Sequence, residues 1–381
     1  MNPQIRRIVL VIAATGLLIG VAILNKNNVV PPEVIVPPVV DKPEIEVIPP
    51  PPTYTYNEAL DSITLQELKE DLEYLASDEL EGRMSGKKGN VIAAAFIKEK
   101  YESFGLETMY DKVNISRMNF GPNNEIGDNF TQNIYAWIPG NDPVLKNEVV
   151  VIGAHMDHIG YGPSMSRSRR TGIHPGADDN ASGTVALMEL AEAFSMIRDQ
   201  IKRTVVFQSY SAEEMGLLGA RHYVNNPKFP IDNPNLKSHV FMLNMDMIGY
   251  LDKGSYPASW NAGNSSIDVG RYISELNDTY SFAKSITSRR SGGSDHAPFY
   301  NKRIPVAFLH TGGHPYYHTP SDTADRINFD GLTGVSKYAF ELAYKVVQSE
   351  DAPNFNVANF EELPYIHDHG YGDVPFPHSH D

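Results

Sequence analysis

Four short, mainly apolar runs constrain the fold of this chain more than any other feature. They span residues 147–154, 204–210, 240–245 and 304–310. Continuous apolar runs of this length predict strands that are covered on both faces, as in a parallel sheet. Between and after these runs, apolar residues recur at helical spacing, which predicts helices on the faces of that sheet. The pattern therefore predicts an α/β fold.

The same pattern sets the extent of the predicted domain. Segment 131–138 predicts one antiparallel strand beside the first run, so we expect a mixed, largely parallel sheet. Ordinary composition begins near Tyr56, and regular patterning fades after Glu350. We therefore predict a single α/β domain over residues 56–350, followed by a flexible tail over residues 351–381. Loose metal binding is the alternative for this tail, which carries His367, His369, His378 and His380.

The N-terminal end differs in composition from the predicted domain. Arg6 and Arg7 precede an uncharged apolar segment, 8–24, which is typical of a signal peptide or of an uncleaved membrane anchor. No clear cleavage site follows this segment, which favours a signal anchor over residues 1–28. The basic residues predict that the rest of the chain lies outside the cytoplasm, in the periplasm or the extracellular space. Residues 29–55 are rich in proline and predict an extended linker.

Composition excludes several classes of function. The chain has no cysteine among its 381 residues, which removes disulfides, thiol nucleophiles and cysteine-bound zinc. Its 47 acidic and 32 basic residues give a formal charge of −15, which argues against a general nucleic-acid or anionic-membrane binder. Contact with a membrane is therefore expected only through the N-terminal segment, and some of the acidic residues can hold metal instead.

Imidazole and carboxylate side chains follow the predicted strands one after another. In open α/β sheets, functional residues gather just beyond the carboxyl ends of the strands. The relevant blocks are GAHMDH at 153–158, GADDNASG at 176–183, SAEE at 211–214, NMDM at 244–247 and YYHTPSDT at 316–323. Mixed nitrogen and oxygen ligands suit zinc, and to a lesser degree cobalt or manganese. Several carboxylates in one cleft repel each other, and two divalent ions about 3.5–4 Å apart would resolve that repulsion.

These blocks, in this order, resemble those of the co-catalytic di-zinc aminopeptidase family (clan MH). The family includes secreted bacterial leucyl aminopeptidases, aminopeptidase Y, carboxypeptidase Q and the catalytic domain of glutamate carboxypeptidase II. The resemblance covers roughly residues 60–350. It implies a single α/β domain of the zinc peptidase-like type, with two zinc ions per chain at the carboxyl edge of its sheet.

The resemblance also implies a set of metal ligands, carried over position by position. They are His155, Asp179, Glu214, Asp246 and His318. His155 and Asp246 would complete the shell of one ion, and Glu214 and His318 that of the other. Asp179 is similar to the carboxylate that bridges both ions in the family.

Two assignments next to these ligands carry alternatives. Asp178 competes with Asp179 for the bridging position, and the family often has a cis peptide after the bridging acid, here before Asn180. Asp157 resembles the acid that orients His155, because a spacing of two residues along a strand keeps both side chains on one side. The alternative for Asp157 is an acid on a surface loop.

The reaction implied by the resemblance is hydrolysis of the N-terminal peptide bond of a peptide. A hydroxide shared by the two metals would attack the carbonyl, and Glu213 would act as the general base. Tyr317 resembles the family's donor to the developing oxyanion, with Tyr316 or a purely packing role as the alternatives. Asp295 and His296 match a family block that shapes the site, so a structural or supporting role is expected for them.

We therefore expect a monomeric metallo-aminopeptidase that acts on peptides. A mono-zinc enzyme similar to glutaminyl cyclase is one alternative, and dipeptidase or carboxypeptidase specificity on the same fold is another. A receptor-like module without catalysis is a third, although every expected ligand position is filled. The basic loop 166–170 is predicted to be a solvated charge run rather than a contact for acidic substrates. His158, His174 and His314 stand near ligand positions without matching the family's pattern, so each is predicted to be a loop histidine.

Overall fold

A computed structural model describes most of the predicted domain. The described residues are 54–116, 129–163, 165–168, 170–251, 258–260, 262–280, 285–286 and 293–362. The predicted anchor, nearly all of the linker and the four tail histidines lie outside them, so these assignments stay predictions. Within the described part of the chain, no helix is both long and apolar enough to cross a membrane.

The described strands form one mixed sheet of eight strands in the order β1-β2-β4-β3-β5-β8-β6-β7. Their bounds are β1 (Glu107–Asn114), β2 (Phe130–Ile138), β3 (Val149–His155), β4 (Thr204–Tyr210), β5 (His239–Met245), β6 (Ala258–Trp260), β7 (Ser285–Ile286) and β8 (Val306–His310). The central strands β4, β3, β5 and β8 run parallel. At one edge, β2 pairs antiparallel with β4, and β1 pairs antiparallel with β2. The predicted α/β class and mixed sheet are confirmed.

The neighbour predicted for the antiparallel strand is wrong. Strand β2 pairs with β4 in register Ile134↔Ser209 to Ile138↔Val205, and it does not pair with β3. The chain leaves β3 through a crossover helix and returns as β4, which adds to the sheet between β3 and β2. The edge strand β1 was not predicted, because only two of its residues, Asp111 and Val113, are buried.

Ten α-helices lie in the described residues. Their bounds are α1 (Tyr56–Ser62), α2 (Leu65–Leu75), α3 (Lys88–Ser103), α4 (Gly183–Met196), α5 (Leu218–Asn225), α6 (Ala262–Ser265), α7 (Ile267–Tyr280), α8 (His296–Asn301), α9 (Phe329–Gln348) and α10 (Val357–Glu362). Helix α1 begins where the domain was predicted to begin. The Thr55 hydroxyl caps it by accepting from the Glu58 amide at 3.2 Å, and the Glu58 carboxylate accepts from the Thr55 amide at 2.7 Å.

Both faces of the sheet are covered by apolar side chains. Along β3, Val150 and Ile152 belong to the larger core cluster, which includes residues of α4 and α9. Val149 and Val151 face the opposite way, into a smaller cluster that includes residues of α5 and α8. Every residue of β3 is buried, which explains why this strand is a continuous apolar run in the sequence.

The folded domain continues beyond the predicted boundary at residue 350. Phe355 and Phe360, beside and within α10, pack against Tyr300 with ring centroids 5.5 and 5.4 Å apart. Two aromatic residues without a periodic pattern do not predict a helix or a strand, so the sequence places residues 351–362 in the tail.

Candidate metal centre and active site

The parallel strands deliver the predicted site residues to one edge of the sheet. His155 is the last residue of β3, and Asp246 follows the last residue of β5. Glu213 and Glu214 stand just beyond the end of β4. Parallel strands end at the same edge, so these side chains meet although they are far apart in the sequence.

The backbone turns sharply beside these residues. Ala212, Met247 and His318 have φ values of 59°, 54° and 54°, in the left-handed region that side chains other than glycine seldom adopt. Such residues cost about 1–3 kcal/mol each and collect at functional sites. The first two adjoin Glu213 and Asp246, so the strain is located where the chain leaves each strand to present a carboxylate.

Two groups of side chains that could hold a metal ion lie at this edge. We call His155, Glu213 and Asp246 the Asp246 cluster, and His158, Asp179, Glu214 and His318 the Glu214 cluster. Within each cluster, one potential ligand atom per residue lies within 4.8 Å of all the others. All these residues are buried except Glu213, which is half-buried.

Asp179 connects the two clusters. Its Oδ1 lies 3.5 Å from Nε2 of His155, and its Oδ2 lies 3.0 Å from Nε2 of His318. Asp178 points elsewhere, because its Oδ1 accepts from the Gly249 amide at 2.7 Å. Of the two candidates for the bridging position, Asp179 is therefore the one that lies between the clusters. The peptide bond between Asp179 and Asn180 is cis, as predicted.

The donor geometry suits zinc. Nε2 of His155 lies 3.3 Å from Oδ1 of Asp246, and Nε2 of His318 lies 3.1 Å from Oε2 of Glu214. Zinc with bonds of 2.0–2.2 Å in a tetrahedron separates its ligands by roughly 3.3 Å. Yet both imidazole nitrogens are buried and make no hydrogen bond with any described residue. Close approach without hydrogen bonding fits atoms that share a metal ion.

The two adjacent glutamates have opposite electrostatic environments. Burial raises the pKa of Glu213 well above its usual range, and the carboxylates of Glu214 and Asp246 raise it further against the opposing effect of His155. Burial would also raise the pKa of Glu214. The charge on His318 and a hydrogen bond from His158 more than offset this, and hold that pKa well below its usual range. Glu213 is therefore suited to accept a proton, and Glu214 to remain a carboxylate.

Asp157 is buried beside His155, and its backbone carbonyl lies closer to the ring than its carboxylate does. Nδ1 of His155 lies 3.2 Å from the backbone carbonyl of Asp157 and 3.8 Å from its carboxylate. The carboxylate instead accepts from the backbone amide of Glu213 at 3.2 Å. Asp157 thus holds His155 through its main chain and Glu213 through its side chain. Burial raises the pKa of Asp157 to about 6.

The two neighbouring tyrosines have separate environments. The Tyr317 ring stacks on His318, with ring centroids 3.9 Å apart. The guanidinium of Arg167 lies 4.4 Å from the centroid of the same Tyr317 ring. The Tyr316 ring lies 3.8 Å from the guanidinium of Arg326. Burial and the nearby carboxylates raise the pKa of Tyr317 well above its usual value, so its hydroxyl keeps the proton. This placement favours Tyr317 over Tyr316 as a donor in the site.

Arg83 supports the segments that carry these ligands, and the sequence did not single it out. Its side chain is fully buried and donates to the carbonyls of Met156 at 3.0 Å, Pro175 at 2.7 Å and Gly176 at 2.9 Å. Burial lowers its pKa to about 10, so it is still charged at neutral pH. Because its partners are backbone carbonyls, no pattern of side chains could have indicated it.

The histidines predicted to be loop residues have different surroundings. His158 belongs to the Glu214 cluster, with Nδ1 2.9 Å from Oε1 of Glu214. Nε2 of His314 lies 3.1 Å from Oδ2 of Asp178. His174 lies near the Gly160 carbonyl, at 3.2 Å. His158 therefore lies inside the site, a position that the sequence did not predict.

The block around Asp295 lies near the site, as expected. Asp295 is fully buried at the start of α8, and neither carboxylate oxygen has a hydrogen-bond partner among the described residues. Burial raises its pKa well above the usual range, and Asp157 and Asp246 act in the same direction. The His296 ring stacks on Phe308 with centroids 4.4 Å apart.

The fold and the site together define a zinc-peptidase-like α/β protein. The chain belongs to peptidase family M28, whose family model matches residues 133–343. The resemblance predicted from the sequence blocks is therefore confirmed. The buried imidazole and carboxylate clusters at the carboxyl edge of the sheet suit zinc binding.

Individual relatives support the same assignment. The probable leucine aminopeptidase 1 of Trichophyton verrucosum is 33% identical over 214 residues, which are 52% of this chain and 53% of that protein. The chain thus spans about half the length of the curated relatives it matches. The Legionella pneumophila LapA aminopeptidase has a TM-score of 0.61 and 25% identity, and the match covers 78% of this chain and 75% of that one. The Bacillus subtilis zinc aminopeptidase BSAP shares the fold, with a TM-score of 0.62 and 18% identity over 77% of this chain and 98% of that chain.

Proposed function

We propose that this protein is a zinc-dependent exopeptidase that removes the N-terminal residue of peptides. The observation that carries this proposal is the position of Asp179, whose two carboxylate oxygens face different clusters. A carboxylate shared in this way is what a pair of metal ions requires. Family membership and the aminopeptidase names of the relatives support the same reaction.

Two zinc ions are proposed per chain. His155 and Asp246 would hold one ion, His318 and Glu214 the other, and Asp179 both. Zinc held by these residues would supply a Lewis acid for a carbonyl oxygen and would lower the pKa of water to about 7. The remaining chemistry comes from side chains that move or hold protons beside the ligands.

Glu213 is proposed as the general base. It is half-buried, so solvent and substrate can approach its carboxylate, whereas the ligands around it are buried. Its raised pKa allows the carboxylate to accept a proton from water and to deliver that proton to the leaving amine nitrogen. The hydrogen bond from its amide to Asp157 fixes the backbone from which the side chain projects.

Tyr317 is proposed as the donor to the oxygen of the scissile carbonyl. Its ring lies against His318, so the hydroxyl is held beside the Glu214 cluster. The hydroxyl remains protonated because burial raises its pKa. A preorganised donor at this position would stabilise the negative charge that develops as the carbonyl is attacked.

The charge of the site favours a free amine over a free carboxylate in the substrate. The acidic side chains that gather here are Asp157, Asp179, Glu213, Glu214, Asp246 and Asp295. The pKa of Glu213 and that of Asp295 are raised, so not all of these carboxyl groups are charged. Those that are ionised attract the ammonium group of a peptide N-terminus and repel a C-terminal carboxylate. This supports aminopeptidase over carboxypeptidase activity.

We also propose that the protein acts as an exported monomer held at the membrane by residues 1–28. The basic residues before the apolar segment 8–24 support this location, and the proline-rich linker would separate the enzyme from the membrane.

Paired peptides and metal analysis test the proposal. Zinc-loaded protein is incubated with a leucyl peptide and with its N-acetylated counterpart. We expect release of free leucine from the first peptide only, and two zinc atoms per chain by elemental analysis. Release from the C-terminus would indicate a carboxypeptidase. One zinc per chain, with cyclisation of N-terminal glutamine, would indicate a glutaminyl cyclase. No turnover of any peptide would favour a binding module.

A further inference from the structure

His158 is the one member of the Glu214 cluster to which the proposed mechanism gives no role. Three imidazoles lie among the carboxylates of the site, those of His155, His158 and His318. The way in which each ring presents its nitrogen to the neighbouring oxygens separates His158 from the other two.

The nitrogens of His155 and His318 approach carboxylates without forming hydrogen bonds. Their Nε2 atoms lie 3.0 to 3.5 Å from oxygens of Asp179, and no described residue accepts or donates a hydrogen bond there. Nδ1 of His158, in contrast, forms a hydrogen bond of 2.9 Å with Oε1 of Glu214. A ring N–H aimed at an oxygen is the geometry of a donor, whereas a metal ligand must aim a lone pair at the ion.

The ring of His158 is held in place by packing. Its side chain is 0% exposed. Gly176, at φ 60°, lies so close that a Cβ there would be 2.5 Å from two ring carbons. On another side the ring meets that of His318 edge-on, with centroids 5.5 Å apart. With its rotamer confined in this way, the ring keeps Nδ1 facing Glu214.

We propose that His158 is a positioning residue for the metal ligand Glu214. Its Nδ1–H donates a hydrogen bond to Oε1 of the carboxylate. The other oxygen, Oε2, lies 3.1 Å from Nε2 of His318 and is left to face the metal position. Glu214 then presents Oε2 to the metal, and rotation of the carboxylate does not exchange its two oxygens. This inference rests on the proposed zinc site, and it concerns a residue that supports a ligand without being one.

The expected effect is on metal affinity. Hydrogen-bond partners of metal ligands typically change affinity by about 10- to 100-fold when they are removed. His158→Leu removes the donor, and His158→Asn keeps an N–H group at the δ position in a side chain of the same branched shape. We expect His158→Leu to bind zinc about 10- to 100-fold more weakly, and His158→Asn to stay close to the unsubstituted protein.

Zinc affinity is measured by competition with a chelator, and the visible absorption of the cobalt-substituted protein reports the ligand set. The proposal expects the cobalt spectrum of His158→Asn to match that of the unsubstituted protein. If both variants lose affinity and the spectrum changes in both, His158 is a ligand and the proposal is overturned. If neither variant loses affinity, His158 only packs and the proposal is also overturned.

Two controls keep the result interpretable. Thermal unfolding of the metal-free variants shows whether each one folds, and His158→Ala replaces the leucine variant if that one does not. Binding is measured without a substrate, so it does not depend on peptide hydrolysis. If the unsubstituted protein bound no zinc, the proposed function would fail. If it bound zinc and the asparagine variant did not, only this inference would fail.

Discussion

The two halves of the candidate metal centre share a carboxylate but differ in access. The Glu214 cluster is buried throughout and contains two imidazoles, whereas the Asp246 cluster contains one imidazole and the half-buried Glu213. The difference appears most clearly in two consecutive residues, since the pKa of Glu213 is raised and that of Glu214 is lowered. An enclosed half suits holding an ion, and an accessible half suits proton transfer. Two side chains of the same type are thus suited to different roles because their surroundings differ.

Replacing each glutamate with glutamine is the strongest test of whether Glu213 and Glu214 have different roles. We expect Glu213→Gln to reduce kcat by about 10²- to 10⁴-fold with zinc content unchanged, because the amide cannot accept the proton. Glu214→Gln, its matched counterpart one residue later, should lose zinc as well as activity. Steady-state kinetics and elemental analysis check both variants. Loss of zinc from Glu213→Gln would show that Glu213 is a ligand and not a base.

The tyrosine pair tests whether the transition-state donor belongs to the Glu214 side. Tyr317→Phe should reduce kcat by about 10²- to 10³-fold, as removal of an oxyanion donor does, and should change KM little. Tyr316→Phe is the matched control, because that ring packs against Arg326. Kinetics with one leucyl substrate measure both variants. Equal losses in the two variants would argue against a specific donor.

Arg83 supports both halves, so its replacement should affect them together. In Arg83→Lys, one ammonium group replaces a guanidinium that donates to several buried carbonyls. Each buried carbonyl that loses its hydrogen bond costs about 1–3 kcal/mol. We expect the free energy of unfolding of metal-free Arg83→Lys to fall by about 1–3 kcal/mol, which lowers the midpoint of urea unfolding. Arg271→Lys, on the exposed surface of α7, is the control. An unchanged midpoint would contradict a supporting role for Arg83.

The pH dependence of the metal-free protein is the mildest test. Burial alone would lower the pKa of His318, but Glu214 and Asp179 raise it to about 10. This contribution to stability is present below the unfolded pKa of about 6.5 and is lost as the pH rises through about 10. The melting temperature in a chelator should therefore fall between these values, by about 2–4 °C per kcal/mol lost.

Zinc should reverse this trend, because deprotonated imidazoles bind metal and protonated ones do not. Stabilisation by added zinc is therefore expected to grow over the same pH interval in thermal scans. A melting temperature in chelator that rose with pH would indicate that the carboxylates around His318 do not attract positive charge.

The parts of the fold that the sequence predicted are those whose environment is uniform along the chain. Strand β3 is buried at every residue, so its apolar run was readable, whereas β1 lies at an edge with most residues partly in water. Likewise, His155 ends β3, Asp246 directly follows β5 and Glu214 lies just beyond β4, so their common location at one edge of the sheet followed from the parallel order of these strands. The aromatic contacts of Phe355 and Phe360 have no such regularity and were missed.

The sequence by itself determined the α/β class, the edge at which the chemistry gathers and the types of ligand, because these depend on local pattern and on the order of the blocks. Only the tertiary structure decided which acid lies between the clusters, how Asp157 is used and that His158 lies inside the site. Each of these depends on contacts between residues distant in sequence, such as His158 with Glu214. Hydrogen bonds of this kind, and those from Arg83 to backbone carbonyls, depend on geometry that a residue's identity does not specify.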